Sequence, residues 1–387
     1  MKFGVNALFN ASGGSFTNLQ ILIEEWTTKN IFKDHQCFLF VGASTYVKLK
    51  STIPAEVQVV ISRIASRGTF ARLFMEQVWL PTLLKKYQLD VLYCPANSGP
   101  WFTKTPTVIT FQNAAPFTTE LTSGVIGWRR FLRFYILKRI MMFSAKNAKC
   151  LIFGSDFFRK LFCKQSRCDF QRTLVIYRSS RKKSDERQFT SESSIVIPKV
   201  KTPFLLCVSH LQPYKNLIEA IEGFQMAKES GWVADDVQFV IAGGVYVSPD
   251  YAKSVYSAIQ IKGLYEGDIL LTGDLSRNEI DSLLEEADAF LFPSTCENCP
   301  TALIEAMQAR LPIACSNRSS MPEVMGDAAI YFNPDDPQAI AKAIQQLFSP
   351  HLKQELRSLV EKRSANWPGI DEMASQTWEA IKASSVN

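Results

Sequence analysis

The feature that most constrains the fold is an alternation of short apolar runs with helical stretches, repeated along nearly the whole chain. In the first half, apolar runs at 3–9, 37–41 and 108–111 are separated by helical stretches at 17–26 and 69–87. Short apolar runs of this kind are typical of strands in a parallel sheet, because helices cover both faces of such a sheet. The pattern therefore predicts an α/β fold built on doubly wound parallel sheets.

A polar stretch separates this series from a second one. Residues Arg178–Pro203 are dominated by Ser, Lys, Arg and Glu, a composition typical of an interdomain linker. A chain of 387 residues is also long for a single hydrophobic core. We therefore predict two Rossmann-like domains, 1–180 and 181–365, that face a central cleft, and a last helix within 366–387.

The second series opens with a strand at 204–209 and a helix at 216–229. Asn216 and Glu219 are three residues apart, the spacing of a capping box at a helix start. Lys215 lies just before this helix, where a cation would add to the helix dipole and neutralise a diphosphate. A lysine in this position is also common on protein surfaces, and that interpretation stays open.

The motif that most strongly indicates a binding site is ENCPTALIE, at 297–305, between a buried strand and a helix. Proline suits the first turn of a helix, which leaves the amides of Thr301 and Ala302 to face an anion such as phosphate. Glu305, one turn further on, could accept hydrogen bonds from ribose hydroxyls, and Glu297 from a second sugar. Alternatively, Glu305 is a surface residue of the helix and Glu297 only caps it.

Two adjacent glycines, Gly13 and Gly14, follow the first strand. Their backbone can approach a ligand closely and leaves amides exposed. The dinucleotide fingerprint G-x-G-x-x-G is absent from the sequence, and a simple tight turn is the alternative.

Taken in order, these motifs resemble the group 1 (family 4) retaining glycosyltransferases of the GT-B fold. That family has a glutamate pair spaced E-x7-E after a Pro-Ser strand end; here Pro293-Ser294 precedes Glu297 and Glu305. The resemblance implies that the first domain binds the acceptor and the second the nucleotide-sugar donor. It also implies that the last helix crosses back to the first domain.

The resemblance further implies individual roles. Glu305 would hold the donor ribose, Glu297 would contact the transferred sugar, and Lys215 would stabilise the diphosphate. Gly13 and Gly14 would approach the donor sugar or its phosphates. The donor-binding set is completed by the Thr272–Leu275 loop with Gly273, which would flank the base, and by Asn298, Thr301 and Ala302.

The sequence departs from the family at two positions. The family's usual arginine five residues before the lysine is replaced by His210, which carries charge only when its pKa allows. We therefore expect diphosphate binding to depend on pH. The family's active-site histidine corresponds to Gln112, whose amide can hydrogen-bond a sugar hydroxyl but cannot act as a base. In the family the leaving phosphate is thought to take the acceptor proton, which leaves a catalytic role for Gln112 open beside a simple loop-capping role.

Other sequence features narrow the class. Asp-x-Asp, the Gly-x-Ser-x-Gly elbow and the P-loop pattern are all absent, and the three histidines lie far apart. We therefore predict an enzyme that needs no metal and no cofactor. The amino-terminal residues 1–6 resemble a strand rather than a signal peptide, and nine irregularly spaced cysteines suit reduced thiols. A cytoplasmic location is expected.

Positive charge is concentrated in one segment. Between Arg129 and Lys183 there are sixteen Lys or Arg residues, with Asp156 and Asp169 as the acidic residues of that segment. We expect no nucleic-acid partner. Residues 128–143 combine Trp, Phe and Arg, which suits peripheral contact with an anionic membrane at its inner face. A core helix whose arginines face water is the alternative.

The sequence thus predicts transfer of a sugar from a nucleotide-diphosphate sugar to a saccharide or lipid-linked saccharide, with retention, in bacterial cell-surface polysaccharide biosynthesis. Two alternatives stay open. One is a non-catalytic nucleotide-sugar-binding partner protein, which Gln112 would suit. The other is a nucleotide-sugar epimerase of the same fold.

Overall fold

The computed structural model describes residues 1–9, 14–118, 128–180, 200–244, 248–261 and 267–385, with the backbone alone for 128–130. The chain divides into two compact units. Unit 1 comprises Met1–Ser179 with Pro368–Asn387, and unit 2 comprises Ser180–Trp367. Gly13, one of the predicted donor-binding residues, lies outside the described residues.

Unit 1 is built on a seven-stranded sheet of order β3-β2-β1-β4-β5-β6-β7, in which every strand pair is parallel. The strands are β1 Lys2–Ala7, β2 Gln36–Gly42, β3 Gln58–Ser62, β4 Val91–Cys94, β5 Thr107–Phe111, β6 Cys150–Phe153 and β7 Thr173–Val175. The helices are α1 Gly14–Thr28, α2 Ile31–Asp34, α3 Ala43–Leu49, α4 Thr69–Phe74, α5 Leu80–Tyr87, α6 Trp128–Asn147 and α7 Asp156–Ser166. Chain order reverses between β1 and β4, so the carboxyl ends of these two strands flank the switch point of the sheet.

The last helix of the chain belongs to the core of unit 1. Helix α15, Ile370–Ala383, packs on α1, where Trp26 Nε1 donates a hydrogen bond to the carbonyl of Ala374 at 3.1 Å. Trp378 of the same helix lies against Phe3 and Trp26, with ring centroids 5.1 and 6.0 Å away. These rings are almost fully buried, so the helix completes the apolar cover over one face of the sheet.

Unit 2 repeats the architecture with six parallel strands of order β10-β9-β8-β11-β12-β13. The strands are β8 Phe204–Val208, β9 Gln238–Ala242, β10 Ile269–Gly273, β11 Ala289–Phe292, β12 Ile313–Ser316 and β13 Ile330–Phe332. The helices are α8 Leu217–Glu229, α9 Pro249–Ile261, α10 Arg277–Glu286, α11 Thr301–Gln308, α12 Met321–Met325, α13 Pro337–Leu347 and α14 Pro350–Ala365. The switch point here lies between β8 and β11.

The capping box predicted at Asn216 is wrong. Asn216 has φ 49° and ψ 40°, a left-handed conformation, and its side chain makes no cap on α8. Its Nδ2 instead donates to the carbonyl of Pro334 at 3.2 Å and to Asp335 Oδ1 at 3.0 Å. The true capping box of unit 2 joins Ser276 and Glu279 at the start of α10. The Asn216 side chain therefore binds a loop distant in sequence and not the backbone at the start of α8.

The helical stretch predicted over 69–87 contains a π-helical turn, Met75–Trp79, between α4 and α5. It buries Glu76, whose side chain is 3% exposed. Glu76 Oε2 accepts a hydrogen bond from Ser98 Oγ at 3.0 Å, and no donor within the described ranges reaches its Oε1. Burial raises the pKa of Glu76 to about 7, and Ser98 and Arg72 offset only part of this effect.

This buried carboxyl predicts a pH-dependent stability for unit 1. Folded Glu76 holds its proton at a higher pH than unfolded Glu76, so stability falls as pH rises from about 4.5 through about 7. Glu76→Gln should remove that fall. Urea unfolding at pH 5 and pH 8 measures the free energy of unfolding of both proteins. Relative to wild type, this free energy should be higher in the variant by roughly 2 kcal/mol more at pH 8 than at pH 5.

The matched control is Glu56→Gln, because Glu56 is an exposed glutamate of the same unit. In this control the free energy of unfolding should differ between pH 5 and pH 8 by the same amount as in wild type. An equal pH dependence in wild type and Glu76→Gln would contradict the assignment.

Candidate functional site

The predicted donor residues of unit 2 lie where its parallel strands end. Parallel strands place their carboxyl ends at one edge of a sheet, and a crevice opens at the switch point. Lys215 follows β8, and Glu297 follows β11, the two strands on either side of that point. The topology therefore brings together two residues that are 82 positions apart in the chain.

Lys215 and Glu297 form a largely buried ion pair. Lys215 Nζ lies 2.6 Å from Glu297 Oε1, and the two side chains are 13% and 16% exposed. The same Oε1 accepts a hydrogen bond from Ser294 Oγ at 2.9 Å. The loops that carry the pair are tied together, since the N–H of Thr295 donates to the carbonyl of Tyr214 at 2.8 Å. The surface-lysine interpretation of Lys215 is therefore wrong.

The surroundings keep Lys215 charged. Burial by itself would lower its pKa, but attraction to Glu297 and the hydrogen bond to it outweigh burial, and the pKa lies above its usual value. The ammonium also lies 5.2 Å from the ring centroids of Tyr214 and Phe292, which stabilises a cation. A permanent positive charge is thus held at the switch point.

The backbone of Glu297 is fixed from the loop before α12. Ser319 Oγ lies 3.0 Å from the N–H of Glu297 and 2.5 Å from its carbonyl oxygen. Ser320 Oγ donates to the same carbonyl at 3.2 Å. Two consecutive serines therefore hold the backbone of Glu297 in place. The position of these serines in the sequence did not indicate this role.

Glu305 is buried on α11 and pairs with Arg277, the first residue of α10. The interpretation of Glu305 as a surface helix residue is therefore wrong. Burial raises the pKa of Glu305, and Arg277 offsets only part of that rise. Arg277 also pairs with Asp281 at 2.8 Å.

Arg277 is a site residue that sequence reasoning missed. The sequence did contain a signal for it, because Ser276 and Glu279 mark a helix start and a cation there opposes the helix dipole. In the structure two carboxylates compensate this cation, Asp281 one turn along α10 and Glu305 on α11.

The other predicted donor residues of unit 2 lie along the same edge of the sheet. Thr301 and Ala302 open α11, where the first N–H groups of a helix have no intrahelical acceptor. Asn298 is buried in the preceding loop. Gly273 ends β10 with φ 74°, a left-handed conformation that favours glycine. Their roles in binding stay predictions.

His210 follows β8 and is exposed. Its Nδ1 accepts a hydrogen bond from the N–H of Gly244 at 3.2 Å, which assigns the ring proton to Nε2 in the neutral form. Nδ1 also lies 3.9 Å from Asp274 Oδ1. The carboxyl ends of three neighbouring strands thus meet around His210, and its pH-dependent role in donor binding stays a prediction.

In unit 1, Gln112 lies just past β5 in a network of hydrogen bonds. Its Oε1 accepts from Ser15 Oγ at 2.7 Å and from Arg178 Nη2, and its Nε2 donates to the carbonyl of Pro95 at 2.8 Å. Gly14, the first residue of α1, lies against Arg178, because a Cβ built on it would be 2.5 Å from Arg178 Nη1. Two predicted residues, Gly14 and Gln112, therefore meet at Arg178, which sequence reasoning had assigned to the linker.

Across the described part of the chain, no three His, Cys, Asp or Glu side chains are grouped so that they could hold a metal ion. Metal independence stays a prediction. The same ranges contain no helix with both the length and the apolarity needed to cross a bilayer.

Residues 189–366, most of unit 2, match the family model described as "Glycosyl transferases group 1". The chain is 30% identical over 184 residues to the O-antigen chain mannosyltransferase B of Escherichia coli, an overlap of 48% of this chain and 45% of that protein. The chain spans about half the length of the curated relatives it matches. The matched segment of unit 2 is therefore similar to group 1 glycosyltransferases.

Solved structures share the fold over the whole chain. Anabaena HepE in complex with UDP and glucose aligns with a TM-score of 0.71 at 17% identity, over 99% of this chain and 100% of that one. WaaG, a glycosyltransferase involved in lipopolysaccharide biosynthesis, aligns with a TM-score of 0.71 at 14% identity, over 98% and 99%. The fold is therefore GT-B, with two Rossmann-like units, as the sequence predicted.

The buried ion pair predicts strong coupling between its two residues. Lys215→Met leaves a buried carboxylate without its cation, and Glu297→Gln leaves a buried ammonium without its anion. Each variant should therefore lower the free energy of unfolding by about 3 kcal/mol. The double variant should cost less than the sum by about 2 kcal/mol, because neither charge remains. Urea unfolding of wild type, the two single variants and the double variant measures this coupling free energy.

The exposed pair Arg310–Glu361, in the same unit, is the control. Its cycle, made with Arg310→Met and Glu361→Gln, should give a coupling below about 0.5 kcal/mol. Additive effects at Lys215 and Glu297 would rule out an energetically important pair.

Proposed function

We propose that the protein transfers a hexosyl group from a nucleotide-diphosphate sugar to a saccharide or lipid-linked saccharide acceptor. The observation that carries the proposal is the buried Lys215–Glu297 pair at the switch point of unit 2, within the segment that matches the group 1 family. A site of this kind needs a cation for the departing diphosphate and hydrogen-bonding groups for a sugar. The pair supplies both.

The proposed step conserves atoms and charge. The acceptor hydroxyl oxygen forms a bond to the anomeric carbon of the donor sugar, and the bond from that carbon to the phosphate oxygen breaks. The acceptor proton leaves with the nucleoside diphosphate. Lys215 and the first amides of α11 stabilise the negative charge that develops on the leaving group, so we propose that no metal ion or cofactor is needed.

We further propose that Glu305 accepts hydrogen bonds from the donor ribose. Burial raises the pKa of this carboxyl, and its partner Arg277 offsets part of that rise; an ionised carboxylate is acceptor-only, which suits hydroxyl donors. Asn298, Gly273 and His210 line the same edge and complete the donor site in the proposal. We propose retention of configuration on the resemblance to family 4.

The process and sugar are proposed from the relatives. The Escherichia coli relative is named an O-antigen chain mannosyltransferase, and WaaG is described as acting in lipopolysaccharide biosynthesis. We therefore propose a place in bacterial cell-surface polysaccharide assembly, with mannose as the first sugar to test. UDP-glucose is the second candidate donor, because HepE was solved with UDP and glucose.

Thermal shift against UDP, GDP, ADP and dTDP tests the donor site. One nucleotide should raise the melting temperature of wild type by about 5 °C at a concentration near 100 times its dissociation constant. Lys215→Met and Glu305→Gln should lose most of that shift. Glu286→Gln, an exposed glutamate of the same unit, should keep it.

A wild-type protein that responds to none of the four nucleotides would refute the proposed function. Nucleotide binding without turnover of GDP-mannose or UDP-glucose over a range of acceptors would instead favour the non-catalytic binding protein. Where turnover occurs, NMR of the product distinguishes retention from inversion at the anomeric carbon, and EDTA should leave the rate unchanged.

We also propose a peripheral membrane contact through α6. Four apolar side chains in its first half, Phe131, Leu132, Tyr135 and Ile136, are each about half exposed, and Arg133 is exposed among them. A core helix would have these four apolar side chains covered, and their exposure supports the proposed contact. Aromatic and aliphatic groups interleaved with arginine suit an anionic bilayer surface. The side chains of 128–130 lie outside the described residues.

Flotation with vesicles tests this contact. Wild type should float with vesicles that contain phosphatidylglycerol and not with pure phosphatidylcholine, at physiological salt. Phe131→Ser with Ile136→Ser should lose most of the flotation, because both apolar anchors are removed. Ile261→Ser, which changes an exposed apolar residue of unit 2, should retain it. Absence of wild-type flotation would remove the membrane proposal.

A further inference from the structure

Two cysteines of unit 1 differ from the others in their surroundings. All nine cysteines lie within the described residues, and seven of them are buried, whereas Cys163 and Cys168 are each partly exposed. The Sγ atoms of these two are also in contact, 2.6 Å apart. Thiol–disulfide exchange requires access to the thiol and, for an intramolecular disulfide, a second thiol within reach. Cys163 and Cys168 meet both conditions.

The end of helix α7 brings the two side chains together. Arg167 follows the helix with φ 54° and ψ 34°, a left-handed conformation, and its N–H donates to the carbonyl of Cys163 at 2.9 Å. At a helix end of this kind, the residue just after the left-handed one packs against the residue four positions before it. Cys168 and Cys163 occupy these two positions. The contact is therefore set by the local backbone.

The surroundings of Cys163 keep it a thiol near neutral pH. Burial raises its pKa and the neighbouring Cys168 raises it further, while Arg159 and Arg172 offset only part of the rise. The thiolate is the reactive form, so Cys163 reacts slowly with an oxidant that it meets in solution. A disulfide formed on Cys168 is a different target, because it is held in contact with the Cys163 sulfur.

The last turn of α7 holds two other elements of unit 1. Gln165 lies between the two cysteines in sequence, and its Nε2 donates to the carbonyl of Phe117, just after β5, at 2.8 Å. Its Oε1 accepts a hydrogen bond from Lys138 Nζ of α6. A covalent bond between Cys163 and Cys168 would hold this turn, and with it Gln165, in its helical conformation.

We propose that Cys163 and Cys168 are a redox modification site, a dithiol that a low-molecular-weight disulfide converts reversibly into an intramolecular disulfide. The thiolate of Cys168 attacks one sulfur of oxidised glutathione, and one glutathione thiolate leaves. The sulfur of Cys163, on losing its proton, then attacks the Cys168 sulfur, and the second glutathione leaves. Two protein thiols are oxidised, and one glutathione disulfide is reduced to two thiols that take up the two protons. This site is independent of the proposed transferase activity.

Peptide mapping after oxidation tests the site. The folded protein is treated with oxidised glutathione, the remaining thiols are alkylated under denaturing conditions, and trypsin is added. Trypsin cleaves after Lys164 and Arg167, so the two cysteines fall in separate peptides, 161–164 and 168–172. Wild type should give these peptides joined by a disulfide, with seven of its nine thiols alkylated. Treatment with dithiothreitol should restore all nine.

Single variants separate a preorganised pair from unspecific oxidation. Cys163→Ser should stop at the mixed disulfide with glutathione, because Cys168 has lost its partner. Cys168→Ser should form a mixed disulfide more slowly than Cys163→Ser, because its remaining thiol has the raised pKa. Cys150→Ala removes a buried cysteine of the same unit and should leave the linked peptides unchanged.

The left-handed residue between the cysteines provides a matched pair of variants. Arg167→Gly should form the disulfide as wild type does, because glycine adopts this conformation without strain. Arg167→Ile should accumulate the mixed disulfide instead, because a β-branched residue is strongly disfavoured at this φ. Equal rates of disulfide formation in the two variants would overturn the role assigned to the helix end.

Hydrogen exchange measures what the disulfide does to the fold. Amides of 161–172 should exchange about tenfold more slowly in oxidised than in reduced wild type, and those of α14 in unit 2 should not change. Unchanged exchange at 161–172 would overturn the proposed effect on α7. Nine alkylated thiols after oxidation, or a disulfide that joins other cysteines, would overturn the modification site itself.

Discussion

The parallel arrangement of the strands is the constraint on which the rest of this structure depends. When all strands of a sheet run the same way, every loop that leaves a carboxyl end lies at one edge, and reversal of chain order opens a crevice there. In unit 2 this places Lys215 after β8 beside Glu297 after β11. In unit 1 it brings Gly14, Gln112 and Arg178 together from three different strands. Each unit thereby brings together residues that are far apart in the chain.

The site cations differ in how their charge is balanced. Lys215 is paired with a carboxylate in a largely buried setting, so its charge is stabilised and removal of either partner is costly. Arg277 serves the opposite purpose, because it offsets part of the burial effect on Glu305. Arg178 donates a hydrogen bond to the neutral amide oxygen of Gln112. Unit 2 thus contains compensated pairs suited to polar hydroxyl and phosphate ligands.

The sequence predicted the fold class and many of the elements, because apolar runs and helical stretches are local properties of a chain. It also indicated the 297–305 segment as a binding site, because a strand end, a proline and a helix start follow one another there. It failed at Asn216, where a capping residue was expected and the amide instead reaches Pro334 and Asp335. It also missed Arg277 and Arg178. Arg277 lies within the Ser276–Glu279 capping box and Arg178 at the start of the polar stretch, but each contacts a predicted site residue that is 28 or 66 positions away.

What the sequence determined by itself was therefore the alternation of strands and helices, the parallel sheets that follow from it, and the loops in which polar site residues lie. Only the tertiary structure decided which of those residues meet. Strand order sets the neighbours at the carboxyl edge, and it is fixed by packing across the whole sheet rather than by any local pattern. The tertiary structure likewise decided the burial of Glu305 and Glu76, because the exposure of a carboxyl depends on the surfaces packed over it. Its pKa, and with it the chemistry available to the site, follows from that packing.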